Sequence, residues 1–205
     1  MEVHKQLHKA PARFPVQYII RPRNDEFHDF RGYAGRVVSG TFKVGDSITV
    51  LPSLQKSLIK DIHQYDQQLN KADARQSVVI TLQDNIDISR GDFLVKSSEV
   101  PELKRELESD ICWMNAQPLV SGKTYLLQHG TSQTKVKITS IDYVLVPSTL
   151  EKLPASELKM NDIASIKVKT AKPLAIDRYA ENPSDGAFIL VDEYSNNTVA
   201  VGFVK

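Results

Sequence analysis

The chain has 205 residues, enough for one large domain or two small ones with separate cores. Lys plus Arg number 26 against 25 Asp plus Glu, a formal net charge of +1, so no bulk field draws a polyanion and nucleic-acid binding through charge has no support. Cys112 is the single cysteine, which excludes an internal disulfide; with no apolar h-region at the N-terminus and no membrane-length apolar run, a soluble cytoplasmic protein is expected.

Residues 1–13 are polar, basic and proline-interrupted, and read as a linker or tail. They hold His4 and His8 at i, i+4 spacing, but Lys5 stands where a zinc-binding helix needs Glu, and no cysteine or carboxylate cluster completes a site. From Phe14 onward short β-branched runs recur: "VQYIIR" (16–21), "GRVVSGTF" (35–42), "SITVLP" (47–52), "SLIKDIHQ" (57–64), "SVVITLQ" (77–83) and "DFLVKS" (92–97). Gly-Asp, Pro-Ser and Asp-Asn pairs separate them at the spacing of a sandwich or barrel. This gives a first β-barrel over 14–98.

At "EVPELKRELESD" (99–110) the alternation lapses, and Pro101 opens a charged, helix-permissive bridge that sets the domain boundary. A second barrel over 99–205 follows with "ICWMN", "TYLLQHG", "TKVKITSIDYVLV", "DIASIKVKT", "AFILVDEY" and "TVAVGFV". Its closing hairpin places Ser195, Asn196 and Asn197 between two apolar runs, and asparagine tolerates the positive φ of a tight turn. With no βαβ rhythm, the expected fold is all-β: two consecutive small antiparallel barrels, each closing its own edges.

Residues that could carry chemistry are sparse. Gly35 and Gly40 have the glycine spacing of a phosphate-binding loop, but Thr41 and Phe42 stand where Lys and Ser or Thr are required, and alternating residues follow instead of a helix. Asp84 and Asp87 fall on opposite faces of an expected strand, so they and Asp92 read as turn caps and solvated strand ends. Arg90-Gly91-Asp92 reads as a turn. The Asn196-Asn197-Thr198 acceptor is silent without secretion, and Cys112 reads as inert packing in a buried strand. No nucleophile, base and orienting group assemble in sequence. No catalytic, metal-binding or cofactor-binding residue is therefore assigned to the chain.

Six stretches in order carry a family resemblance: "RFPVQYIIRP" (13–22), "DFRGYAGRVVSGTFKVGDSITVLPS" (29–53), "LQDNIDISRGDFLV" (82–95), "WMNAQPLVSGKTYLL" (113–127), "STLEKLPASELKMNDIASI" (148–166) and "GAFILVDEYSNNTVAVGFV" (186–204). Together they resemble the large, GTPase subunits of bacterial ATP sulfurylases, a branch of the translation-factor GTPase superfamily. The resemblance implies barrels like domains 2 and 3 of elongation factor Tu, with Gly32–Asp46 a barrel strand pair. It also implies a parent whose preceding domain binds GTP and magnesium through a P-loop, Asp-x-x-Gly and Asn-Lys-x-Asp. None of these occurs here, so the chain reads as part of a longer protein that alone neither binds nor cleaves GTP.

The implied role is GTP-driven formation of adenosine 5′-phosphosulfate from ATP and sulfate, with the adenylyl-transfer site on a small subunit. The implied partners are that subunit and the GTPase domain of the same parent. "HDFRGYAG" supplies the interface candidates Phe30, Arg31 and Tyr33, an exposed aromatic beside arginine at a loop-to-strand edge; an aromatic packed on its own core beside a solvated arginine fits the same letters. Two rivals stand beside the main reading. One is a translation-type module holding aminoacyl-tRNA, which the balanced charge and the segments around Trp113 and 150–158 oppose. The other is a stand-alone enzyme using Asp87 or Asp92 in a cleft between barrels.

Overall fold

The computed structural model describes residues 9–21 and 30–205; His4, His8 and His28 lie outside them. The chain divides into two units, Met1–Pro101 and Glu102–Lys205.

In the first unit the strands are β1 (Arg13–Ile20), β2 (Gly32–Arg36), β3 (Thr41–Lys43), β4 (Ser47–Leu51), β5 (Lys56–Gln64), β6 (Gln67–Leu69), β7 (Lys71–Asp73), β8 (Ser77–Leu82) and β9 (Phe93–Lys96). The order β4-β9-β1-β2-β8-β5, with β4 also paired to β5, closes six antiparallel strands into a barrel. Alternation explains the inner layer: on β5 Ser57, Ile59 and Ile62 are buried, while Lys56, Leu58 and Lys60 are exposed, with a bulge shifting the register between Ile59 and Asp61. The core gathers Phe14, Val16, Tyr33, Phe42, Ile48 and Leu94, with Phe14 and Phe42 edge to face at 6.2 Å.

Close packing accounts for the glycines of residues 32–46. A Cβ on Gly35 would lie 2.4 Å from the Pro15 carbonyl oxygen and 2.9 Å from the Phe14 ring. Gly40, at φ +69°, has the Ala12 backbone where its side chain would be. Gly45 is different, a turn residue at φ +86° in open space, with the Lys43 N–H donating to the Asp46 carboxylate at 2.9 Å. The expected strand pair within residues 32–46 is corrected here. β2 pairs with β1 and β8, and β3 with β7 in a separate ribbon, so the two do not pair with each other; nor do β3 and β4, which the Gly45 turn joins. The tail also ends sooner than its polarity suggests: Ala12 and Arg13 are buried, and the Ala12 N–H donates to the Glu99 carboxylate at 2.7 Å.

The second unit holds β10 (Leu103–Trp113), β11 (Leu119–Val120), β12 (Thr124–His129), β13 (Ser132–Leu145), β14 (Lys152–Leu153), β15 (Glu157–Leu158), β16 (Ile163–Ala175), β17 (Ala187–Val191) and β18 (Thr198–Val204). The order β12-β17-β18-β10-β16-β13, with β12 paired to β13, closes a second six-stranded barrel. The segment expected to bridge the domains is largely strand β10. Its alternation is real but uses serine and tryptophan among the aliphatics: Leu107, Ser109, Ile111 and Trp113 are buried. Glu106 and Glu108 lie opposite Lys169 and Lys167 on β16, in ion pairs of 3.1 and 3.4 Å. Cys112, on the same strand, is half-buried rather than enclosed. Trp113 anchors the core, its indole N–H donating to the Gln117 carbonyl at 2.9 Å and its ring edge to face with Tyr125 at 5.6 Å. The β17–β18 hairpin closes through Asn196 at φ 56°, with the Asp192 carboxylate accepting the Tyr194 and Ser195 N–H groups.

One buried polar cluster latches the 176–186 loop to the end of β12. His129 is 3% exposed, with Nε2 2.7 Å from the Asp185 carbonyl oxygen and 3.2 Å from its carboxylate. Both are acceptors, so Nε2 carries a proton. The other Asp185 oxygen accepts the Asp177 N–H at 3.1 Å, and the Asn182 amide donates to the Asp177 carboxylate at 2.9 Å. Burial pulls the His129 pKa down, but the hydrogen bond and charge of Asp185, with Asp177 behind it, outweigh burial and leave the pKa raised above 6.5.

A raised folded-state pKa means that the imidazolium is held more tightly in the folded chain than in the unfolded one. This stabilisation is fully present below about pH 6.5 and is lost as pH rises through the folded-state value. Urea midpoints measured at about pH 6 and about pH 9 are expected to fall with pH, and His129→Gln to flatten that difference. For the glycines, Gly35→Ala is expected to cost more than about 2 kcal/mol from overpacking. Gly45→Ala costs about 1 kcal/mol, from backbone strain alone, and urea denaturation separates the two.

Candidate functional site

Strands β2, β8 and β5 are neighbours in the first barrel, and their ends build an open groove of 310 Å³. The segment entering β2 contributes Phe30, Arg31 and Tyr33, β5 contributes Lys60 and Asp61, and the end of β8 with its following loop contributes Thr81, Leu82 and residues 83–85. Phe30 lies over Gly32, where a Cβ would come within 3.0 Å of the ring and 2.7 Å of Val79. All three interface candidates thus meet in one groove, yet their roles differ.

Tyr33 is 1% exposed, a correction to its reading as an exposed aromatic. It lies inward on β2, where the barrel core takes the ring, and only its hydroxyl reaches the groove. That hydroxyl donates to the Ile86 carbonyl at 3.1 Å, and an Arg31 guanidinium N–H donates to the same oxygen at 3.1 Å. The loop after β8 is therefore pinned to the start of β2 through one carbonyl. Burial raises the Tyr33 pKa, opposed by the positive charges of Arg31 and Arg21, with Asp87 adding to the rise.

The carboxylates in and near the groove hold structure. Asp61 accepts from the Gln68 amide at 2.7 Å and the Thr81 hydroxyl at 3.3 Å, and Asp84 from the Ser57 hydroxyl at 2.8 Å. Asp84 and Asp87 lie beyond the end of β8, so the strand that would have set them on opposite faces does not extend to them. Asp92 caps the turn at Arg90-Gly91 by accepting the Ser89 N–H at 2.8 Å; burial raises its pKa, the Ser89 bond lowers it and Asp87 raises it further. Among the described residues no three His, Cys, Asp or Glu side chains are grouped to hold a metal ion. The Gly35–Gly40 segment does not fit a nucleotide phosphate, because Phe14, Pro15 and Ala12 fill the space over both glycines and strand β3 follows. What the groove offers is a mixed polar and aromatic surface. Lys60 and the residues of β8 escaped the sequence reading, since only the pairing of β8 with β2, and of β5 with β8, brings them beside Arg31.

Residues 106–205 match the family described as GTP-eEF1A C-terminal domain-like. Over 193 residues, 94% of this chain and 40% of the relative, the sequence is 42% identical to sulfate adenylyltransferase subunit 1 of Aliarcobacter butzleri. It is 40% identical, over 94% of this chain and 29% of the relative, to the bifunctional enzyme CysN/CysC of Rhodopirellula baltica. The chain thus spans less than half the length of these curated relatives. Two solved structures of Sup35 share the fold: the GDP complex has a TM-score of 0.84 at 18% identity, covering 97% of this chain and 48% of that one. The GMPPNP complex has a TM-score of 0.85 at 17% identity, covering 100% and 49%. Among the described residues no helix is long and apolar enough to cross a membrane.

Tyr33→Phe removes one of the two donors to the Ile86 carbonyl and keeps the ring. It is expected to cost about 1 kcal/mol in urea denaturation, with faster hydrogen exchange confined to the loop after β8.

Proposed function

We propose that this chain, a homologue of sulfate adenylyltransferase subunit 1 over 94% of its length, is the non-catalytic two-barrel part of such a large subunit. The observation that carries the reading is that this one similarity runs at 42% identity over 193 residues, through both barrels. In this reading the parent supports formation of adenosine 5′-phosphosulfate from ATP and sulfate in the cytoplasm, driven by GTP hydrolysis. GTP and magnesium are assigned to a GTPase domain beyond these 205 residues, and adenylyl transfer to the small subunit. The barrels position the GTPase domain, respond to its nucleotide state and help dock the small subunit.

Phe30 and Arg31 supply the docking surface, with Tyr33 as a positioning residue behind them. An arginine held at the Ile86 carbonyl and the Tyr33 hydroxyl still has further N–H donors to offer a partner, and a ring at the lip of a groove adds apolar area.

Titration calorimetry of the chain against the small subunit, and separately against the GTPase domain with GTP or GDP, tests the reading. Binding to at least one is expected, weakened about tenfold or more by the double change Phe30→Ala and Arg31→Ala. The chain alone is expected to show no GTP hydrolysis. Absence of binding to both, with salt-dependent tRNA binding instead, would overturn the reading in favour of a translation-type module.

A further inference from the structure

The β5–β6 hairpin turns through two residues, Tyr65 and Asp66, between the paired Gln64 and Gln67. Tyr65 has φ 53°, in the left-handed region that glycine and asparagine occupy cheaply and a bulky aromatic does not. Folding recovers nothing from the ring, which is 95% exposed. The β17–β18 hairpin supplies the contrast within the same molecule. Its left-handed position falls to Asn196 at φ 56°, and its equally exposed Tyr194 has no positive φ. Leu54 and Leu150 share the left-handed backbone, but at 56% and 70% exposure each keeps part of its side chain covered. At Tyr65 a local backbone rule is broken with no compensating contact, a pattern associated with functional positions.

The tip is also set for recognition. Gln68 on β6 donates its amide to Asp61 on β5 at 2.7 Å, tying the hairpin to the wall of the groove. A two-residue turn between paired strands holds the tyrosine on a rigid mount, so little freedom remains to be lost on binding. The neighbouring Asp66 carboxylate repels phosphate, which favours a protein over a nucleic acid as the occupant. Gln64 and Gln67 flank the turn on the paired strands.

We propose that Tyr65 is a docking anchor whose ring enters an apolar socket with a cationic rim on a protein partner. The partner is the small subunit, a choice that rests on the function proposed above. The experiment compares wild type, Tyr65→Asn and Tyr65→Phe in the 205-residue chain, measuring thermal midpoint and affinity for purified small subunit. Asn relieves the strained backbone and removes the ring, so the midpoint should rise by about 4 °C while affinity falls about tenfold or more. Phe keeps the ring and should bind within about threefold of wild type. Wild-type binding that Tyr65→Asn leaves unchanged would overturn the anchor and spare the reading it rests on. No wild-type binding to the small subunit would overturn the partner named here, and the reading with it where the GTPase domain also fails to bind. Loss of tRNA binding in Tyr65→Asn, from a wild type that binds tRNA and not the small subunit, would overturn the protein occupant.

Discussion

Everything in this molecule depends on two ring closures, the pairing of β4 with β5 in the first unit and of β12 with β13 in the second. An open six-stranded sheet would leave two rows of unpaired N–H and C=O groups and an uncovered apolar face. Closure removes the edges and turns that face into a core. It also has a geometric result, because the ring decides which loops become neighbours. Arg31, Lys60 and the loop after β8 are far apart in sequence and share a groove only because β2, β8 and β5 are consecutive staves.

Much of the fold was legible in the letters, for a physical reason. A strand with one face on a core and one in water must alternate, and β5, β12 and the first half of β13 do so with aliphatic and aromatic residues that leave a clear trace. β10 up to residue 110 was hidden because its outward residues are charged and its inward ones include Ser109, a pattern that also suits a charged helix. The short pairs β11–β15 and β3–β7 have too few residues for any period to register. The groove was half legible: an aromatic beside arginine marks a place of contact, but which ring lies inward is decided by the parity of the strand. Tyr33, on β2, goes to the core, whereas Phe30 and Arg31 precede the strand and stay at the rim.

The balanced charge takes on meaning once the registers are known. Glu106 with Lys169, Glu108 with Lys167, and Lys135 with Glu193 at 2.6 Å are matched across the outer face of the second barrel. Each such exposed pair adds little stability. The value of the two β10–β16 pairs lies in register, because a one-residue slip of β10 against β16 would expose the core residues and break both matches. A near-neutral surface of this kind also leaves association to shape and to a few anchors rather than to a long-range field.

The single tryptophan has a consequence for how this chain can be observed. Trp113 lies in the second barrel, against Tyr125, and the first barrel has no tryptophan at all. Indole emission therefore reports on one half of the molecule, whereas backbone circular dichroism reports on both. Superimposable transitions from the two signals would mean that the barrels melt as one cooperative unit, and displaced ones that each is a thermodynamic domain in its own right.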